Sequence, residues 1–175
     1  MSSLKFTIIQ TDLHWEDKGA NLDALSNKIL GIDEPTEIIV LPEMFSTGFS
    51  MQPEKLAESM EGETVEWMKE LASKKNVILT GSVIIQEDEQ FYNRLLWVLP
   101  NGQVGQYNKR HCFSLAGEDQ HYTHGSKRAI ANVGGWRINL QICYDLRFPI
   151  WARQQLQYDD EGMYPEYDVL LYVAN

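Results

Sequence analysis

Short runs of consecutive apolar residues constrain this chain most. Ile38-Ile39-Val40-Leu41, and the residues from Val77 to Ile85 on either side of Thr80-Gly81-Ser82, are too short for buried helices and apolar on both faces. Such runs read as strands covered on both sides. Lys5–Thr11, with Phe6, Ile8 and Ile9, reads as another. Between them lie two amphipathic stretches. Asp17–Leu30 puts Leu22, Leu25, Ile29 and Leu30 on one helical face and stops at Gly31. Glu63–Lys75 turns Trp67, Leu71 and Ala72 inward. A β-α-β-α-β order predicts an α/β fold with a mixed sheet.

The pattern then changes. Tyr92–Leu99 and Val104–Tyr107 flank Asn101-Gly102, a hairpin signal because both residues tolerate positive φ. Asn108–Ser126 has no clear period, and a loop that long in one domain is functional or mobile. Arg128–Val133 and Trp136–Ile142 read as strands around Gly134-Gly135. Phe148–Leu156 reads as a helix with Pro149 in its first turn, and Val169–Ala174 as a last strand. An apolar strand directly before Asn175 leaves an open sheet edge, so the domain is expected to continue beyond the 175 residues given.

Charge narrows the partners. The formal net charge is −10, which disfavours nucleic acid and anionic membranes, since both reward clustered Lys and Arg. A small-molecule substrate fits better. The segment from Met1 to Phe6 has no leader pattern and no run reaches membrane-spanning length, so a cytoplasmic, reducing location is expected. Cys112 and Cys143 are then expected as thiols.

Three reactive residues stand at or just past strand ends. Glu43 follows Leu41-Pro42, Lys109 follows Tyr107-Asn108, and Cys143 follows Leu140-Gln141-Ile142. A base, a cation for an oxyanion and a nucleophile are the parts of a hydrolase. Each also has a plainer reading. Glu43 could be a loop glutamate capping the turn at Ser46 and Thr47, Lys109 a surface lysine, and Cys143 a buried structural cysteine. Cys143 lies where a strand turns into a helix, a position that favours the thiolate. The Tyr144 backbone N–H would point to the same place.

With these residues in view, the chain resembles the nitrilase superfamily of carbon-nitrogen hydrolases. The likeness is carried by Leu41-Pro42-Glu43-Met44-Phe45-Ser46-Thr47-Gly48-Phe49, Tyr107-Asn108-Lys109-Arg110-His111, and Ile142-Cys143-Tyr144-Asp145-Leu146-Arg147-Phe148-Pro149. The last of these, with His121-Tyr122-Thr123-His124-Gly125, is most similar to the omega-amidase branch, which acts on amides of small dicarboxylic or 2-oxo acids. The resemblance implies an α-β-β-α sandwich, incomplete at the C-terminus, with residues 1–175 as the N-terminal part of one carbon-nitrogen hydrolase domain. It implies Cys143 as nucleophile, Glu43 as general base and Lys109 as oxyanion cation. Glu118 is the best match for a second, supporting glutamate, with neighbouring Asp119 as the alternative. It also implies pairing of chains, a homodimer or higher homo-oligomer in the full-length form. Cys112 matches a position that is usually aliphatic, and reads as a small core hydrophobe.

Expected chemistry is hydrolysis of a small linear amide to carboxylate and ammonia through a thioester, without cofactor or metal. Substrate-binding candidates are Arg147, for a substrate carboxylate, and Phe49 and Phe148, which with Tyr144 would wall a small pocket. Arg147 could equally form an ion pair with Asp145 or Asp168. Three other readings stay open: a nitrilase or carbamoylase specificity; an inactive domain serving only as an interaction module; and a zinc site from His111, Cys112, His121 and His124, whose spacing matches no standard metal motif.

Overall fold

A computed structural model describes residues 3–160 and 162–175. Met1 and Ser2, at the head of the segment read for a leader, and Glu161 lie outside the described residues. The first sheet has five strands in sequential order: β1 (Phe6–Ile8), β2 (Ile38–Val40), β3 (Ile78–Glu87), β4 (Gln90–Val98) and β5 (Val104–Asn108). The first three run parallel, joined by helical crossovers, and the last three form an antiparallel meander. A second sheet has the order β10 (Val169–Val173), β7 (Trp136–Ile142), β6 (Ile130–Val133), with β7 parallel to β10 and antiparallel to β6. The mixed α/β reading therefore stands.

Both long helices begin and end as their sequences indicate. The Asp17 side chain accepts a hydrogen bond from the Ala20 N–H and so caps α1 (Lys18–Leu30). A short α2 (Pro53–Leu56) precedes α3 (Glu63–Lys75), which ends at Asn76 in the left-handed region. Leu22, Leu25 and Ile29 of α1 and Val65, Met68, Leu71 and Ala72 of α3 pack on Ile39, Leu41, Leu79, Val83 and Ile85. The opposite face of the same sheet puts Ile38, Val40, Leu95, Trp97 and Tyr107 against Ile138, Leu140, Ile142 and Val173 of the second sheet. Helix, sheet and sheet are thus three of the four expected layers. Every helical segment after Lys75 is five residues or shorter, so an outer helical layer is not formed among the described residues.

Some local expectations need correction. The Phe148–Leu156 helix shrinks to α5 (Pro149–Ala152). The Tyr167 hydroxyl takes the Ala152 carbonyl, and Gln154 pairs with the backbone of Tyr167, drawing the chain out into the hairpin β8 (Leu156–Asp159) and β9 (Gly162–Pro165). Asn108–Ser126 holds a 3₁₀ turn (Ser114–Ala116) and α4 (Glu118–His121). Asp88 and Glu89, both at positive φ, make the tight β3–β4 hairpin, a turn without the usual Asn-Gly signal.

Candidate active site

Glu43 leaves β2 through Pro42. Its backbone is pinned at the carboxyl end of β10, where its N–H donates to the Ala174 carbonyl and its own carbonyl accepts from Asn175 Nδ2. Met44, at φ +46, turns the chain sharply, and its N–H donates to Ser82 Oγ. The Glu43 carboxylate therefore points between the sheets and not toward Ser46 or Thr47 as a loop cap. Lys109 extends from the end of β5, where its N–H donates to the Asn93 carbonyl. It is 1% exposed, which rules out a surface lysine.

Lys109 Nζ lies 2.7 Å from Glu43 Oε1, and 3.0 and 2.8 Å from the two Glu118 oxygens. Asn93 Nδ2 donates to the same two carboxylates at 2.8 and 3.0 Å. Glu118 is held from the other side by the Phe113 N–H at 2.5 Å. All four side chains are buried. Three charges in such a place are tolerable only because each has close partners of opposite sign or polarity. Burial alone would lower the Lys109 pKa, but the Glu43 and Glu118 carboxylates outweigh it and raise it, keeping the ammonium charged. Glu118 is thus the acidic neighbour of Lys109, while Asp119 faces solvent. Phe49 lies on the same side, its ring centroid 5.2 Å from Lys109 Nζ.

Cys143 begins a 3₁₀ stretch (Cys143–Arg147) directly after β7, with φ at +40. A non-glycine residue there is strained, and such strain persists only where surroundings impose it. The expected thiolate preference does not hold. Burial, then the adjacent Glu43 carboxylate, push the thiol up to about 11, only partly offset by Lys109. The five-residue stretch stops at Phe148, held out of helical geometry by Pro149, so little helix dipole reaches the sulfur. The sulfur is held as a neutral thiol beside the Glu43 carboxylate, a group able to accept its proton. The Tyr144 N–H lies in the first turn, where backbone donors lack intrahelical acceptors.

Two of the aromatic candidates, Tyr144 and Phe148, form a continuous arc with Phe113 and His111. Phe113 and Tyr144 lie 4.8 Å apart by ring centroid, Tyr144 and Phe148 5.5 Å, and Phe148 stacks on His111 at 3.8 Å. Arg147 is exposed, and both ion pairs considered for it are occupied otherwise: Asp145 binds Tyr107 and His111, and Asp168 binds Arg137. The zinc alternative finds no gathered ligands, because among the described residues no group of three His, Cys, Asp or Glu is placed to share a metal. His111 binds Asp145, and the Cys112 thiol packs beside Met44, Ile84 and Tyr122 and donates to the Tyr122 carbonyl. Asn93 and Phe113 are members of the site that sequence reasoning missed. In sequence Asn93 is one of the polar pair Asn93-Arg94 ahead of Leu95-Leu96-Trp97-Val98, which does not mark it as a site residue.

Comparison with known proteins bears on this geometry. The carbon-nitrogen hydrolase family model matches residues 5–163. An omega-amidase YafV of Escherichia coli K12 is 42% identical over 176 residues, covering all of this chain and 64% of its own length. A 2-oxoglutaramate amidase of Bacillus subtilis is 30% identical over 156 residues, covering 86% of this chain and 60% of its own. Among solved structures, a CN-hydrolase superfamily protein of Xanthomonas campestris with an arsenic adduct in its active site superposes with a TM-score of 0.93 at 36% identity, covering 100% of this chain and 66% of that one. The chain thus spans 64% of the length of the curated omega-amidase relative.

Proposed function

The chain belongs to the carbon-nitrogen hydrolase family, and from that premise we propose that it is a cysteine amidase cleaving the ω-amide of a small dicarboxylic or 2-oxo acid. One observation carries the reading: a buried Glu43–Lys109–Glu118 cluster stands beside the Cys143 thiol, which that cluster's Glu43 carboxylate helps to keep protonated. The substrate class is supported by omega-amidase relatives matching the whole chain at 41–42% identity.

In this mechanism Glu43 takes the Cys143 proton as sulfur attacks the amide carbonyl carbon. Lys109 Nζ and the Tyr144 N–H hold the tetrahedral oxyanion, one such donor being worth roughly 3–4 kcal/mol. Glu43 passes its proton to the nitrogen, the C–N bond breaks, and ammonia leaves a thioester on Cys143. Water then gives a proton to Glu43 as its oxygen adds to the thioester, and the carboxylic acid departs with return of the thiol. Glu118 keeps Lys109 charged and in place. Phe49 and Phe148 wall the pocket, and Arg147, with no ion pair among the described residues, is available to a substrate carboxylate. A reducing cytoplasm suits a reacting thiol. A homo-oligomer is part of the reading, supported by Leu146 and Ile150, 61% and 87% exposed beside the nucleophile turn.

The test is ammonia release from 2-oxoglutaramate and succinamate, run beside Cys143→Ala. Release that vanishes in the variant is expected. Release that persists without the thiol, or faster turnover of a nitrile or N-carbamoyl acid, overturns the assignment.

A further inference from the structure

Asp145 is fully buried and has no role in the steps above. Its carboxylate accepts four hydrogen bonds. Oδ1 accepts from the His111 N–H at 2.9 Å and meets the His111 ring Nδ1 at 2.8 Å; Oδ2 accepts from the Tyr107 hydroxyl at 2.7 Å and the Ile142 N–H at 3.1 Å. Four donors saturate the acceptor sites of a carboxylate. The sequence positions of these donors matter. Tyr107 and His111 lie two residues before and two after Lys109, and Ile142 immediately precedes Cys143. The Tyr107 hydroxyl, while donating to Asp145, also accepts from Trp151 Nε1 at 3.0 Å and the Arg110 N–H at 3.3 Å.

We propose that Asp145 is a positioning residue: its buried carboxylate fixes the strained turn carrying Cys143 against the strand end carrying Lys109. The proposal rests on the reading of Cys143 and Lys109 as the reacting thiol and the oxyanion cation. Nothing else among the described hydrogen bonds joins both flanks of Lys109 to the residue before Cys143. The left-handed Cys143 backbone would relax if the Ile142 anchor were lost, and a shift of about 1 Å in a reacting group costs roughly 100-fold in rate. Asparagine at 145 has nearly the same volume but only one acceptor oxygen, so two of the four donors meet an amide NH₂ instead.

Two readouts test this on the chain as it stands. For Asp145→Asn, ammonia release should fall about 100-fold in kcat with KM near that of the parent. The rate of Cys143 alkylation by iodoacetamide, followed against pH, needs no substrate. Its midpoint should move down from about 11, because sulfur leaves the burial and the Glu43 carboxylate that hold it up. Lys109 and Glu118 are the other charges facing the sulfur, and both remain in the variant. An unshifted alkylation profile overturns the proposal whatever the turnover. If Asp145→Asn does not fold, Tyr107→Phe removes one donor and is read the same way: a smaller downward shift supports the proposal, and none overturns it. A chain that releases no ammonia from any amide fails the functional reading alone, since the alkylation profile still decides the role of Asp145.

Discussion

At the scale of single residues, the site separates proton holding from charge holding. Cys143 keeps its proton to about 11 because it is buried beside a carboxylate, and Lys109 keeps its charge because two carboxylates face it. Glu43 therefore suppresses the thiolate that it is also placed to generate. Glu43→Gln should have opposite effects on two assays. Amide turnover should fall about 100- to 10,000-fold with the base gone. Alkylation of Cys143 at pH 8 should speed up, because the neighbouring negative charge is gone and Lys109 remains. Cys112, pushed up to about 12 by burial and the Glu118 carboxylate, should stay unmodified in both proteins. Mass spectrometry after timed iodoacetamide exposure reads both thiols, and slower labelling of Cys143 in the variant would refute the account. Glu43, Lys109 and Cys143 were legible in sequence because each stands at or just past a strand end and because the three occur together in that order. Asn93 was not, because it lies inside β4 and meets Glu43 and Glu118 only through the pairing of β3, β4 and β5.

At the scale of elements, the aperiodic segment after β5 is a brace. The Gly125 N–H donates to the Lys109 carbonyl at 2.8 Å, and the Gly125 carbonyl accepts from Arg110 Nη1 at 2.9 Å. A β-carbon at 125 would overlap the carbonyl of Asn108, and backbone cannot yield as a flexible side chain can. Gly125→Ala should cost about 1–3 kcal/mol in urea unfolding and reduce turnover, because Lys109 moves with its strand end. An unchanged urea midpoint would show that the segment is free to shift. Sequence periodicity could not reveal this brace, since α4 is a single turn that carries one buried carboxylate, Glu118. The same limit explains the misjudged helix after Pro149. The residues through Leu156 are compatible with a helix, but the hydroxyl of Tyr167, more than ten positions on, takes the Ala152 carbonyl that a further turn would have used, and the Tyr167 backbone ties down the Gln154 side chain. The β-α-β-α-β half was legible because its strands are largely apolar and its helices are bounded by local signals, the Asp17 cap of α1 and the left-handed Asn76 that ends α3.

At the scale of the whole molecule, buried acids make the fold sensitive to alkali. Cys143 and Cys112 are raised from 9.0 to about 11 and about 12, and Tyr107 and Tyr122 are raised well above 10.0 by burial, aided by Asp145 at Tyr107 and by Glu118 at Tyr122. Above pH 9 the unfolded chain releases protons that the folded chain retains, so stability is complete below that value and falls as pH climbs. Lys109 acts in the same direction: its raised pKa favours the charged folded form, and that contribution is lost as pH rises beyond 10.5. On the acid side, Arg94 lowers Glu87 and Arg137 lowers Asp168, so their contributions are present above 4.5 and 3.8 and fade as pH drops through the lowered folded values. Urea midpoints should therefore form a plateau between about pH 6 and 8.5 and decline from about pH 9 to 11. The decline should be shallower in a Cys112→Ser, Cys143→Ser double variant, because serine does not ionise in that range. In the parent, tyrosinate absorbance of Tyr107 and Tyr122 should appear only together with loss of structure. A decline of equal steepness in the double variant would remove the thiols from this account and leave the buried tyrosines and Lys109 as its source.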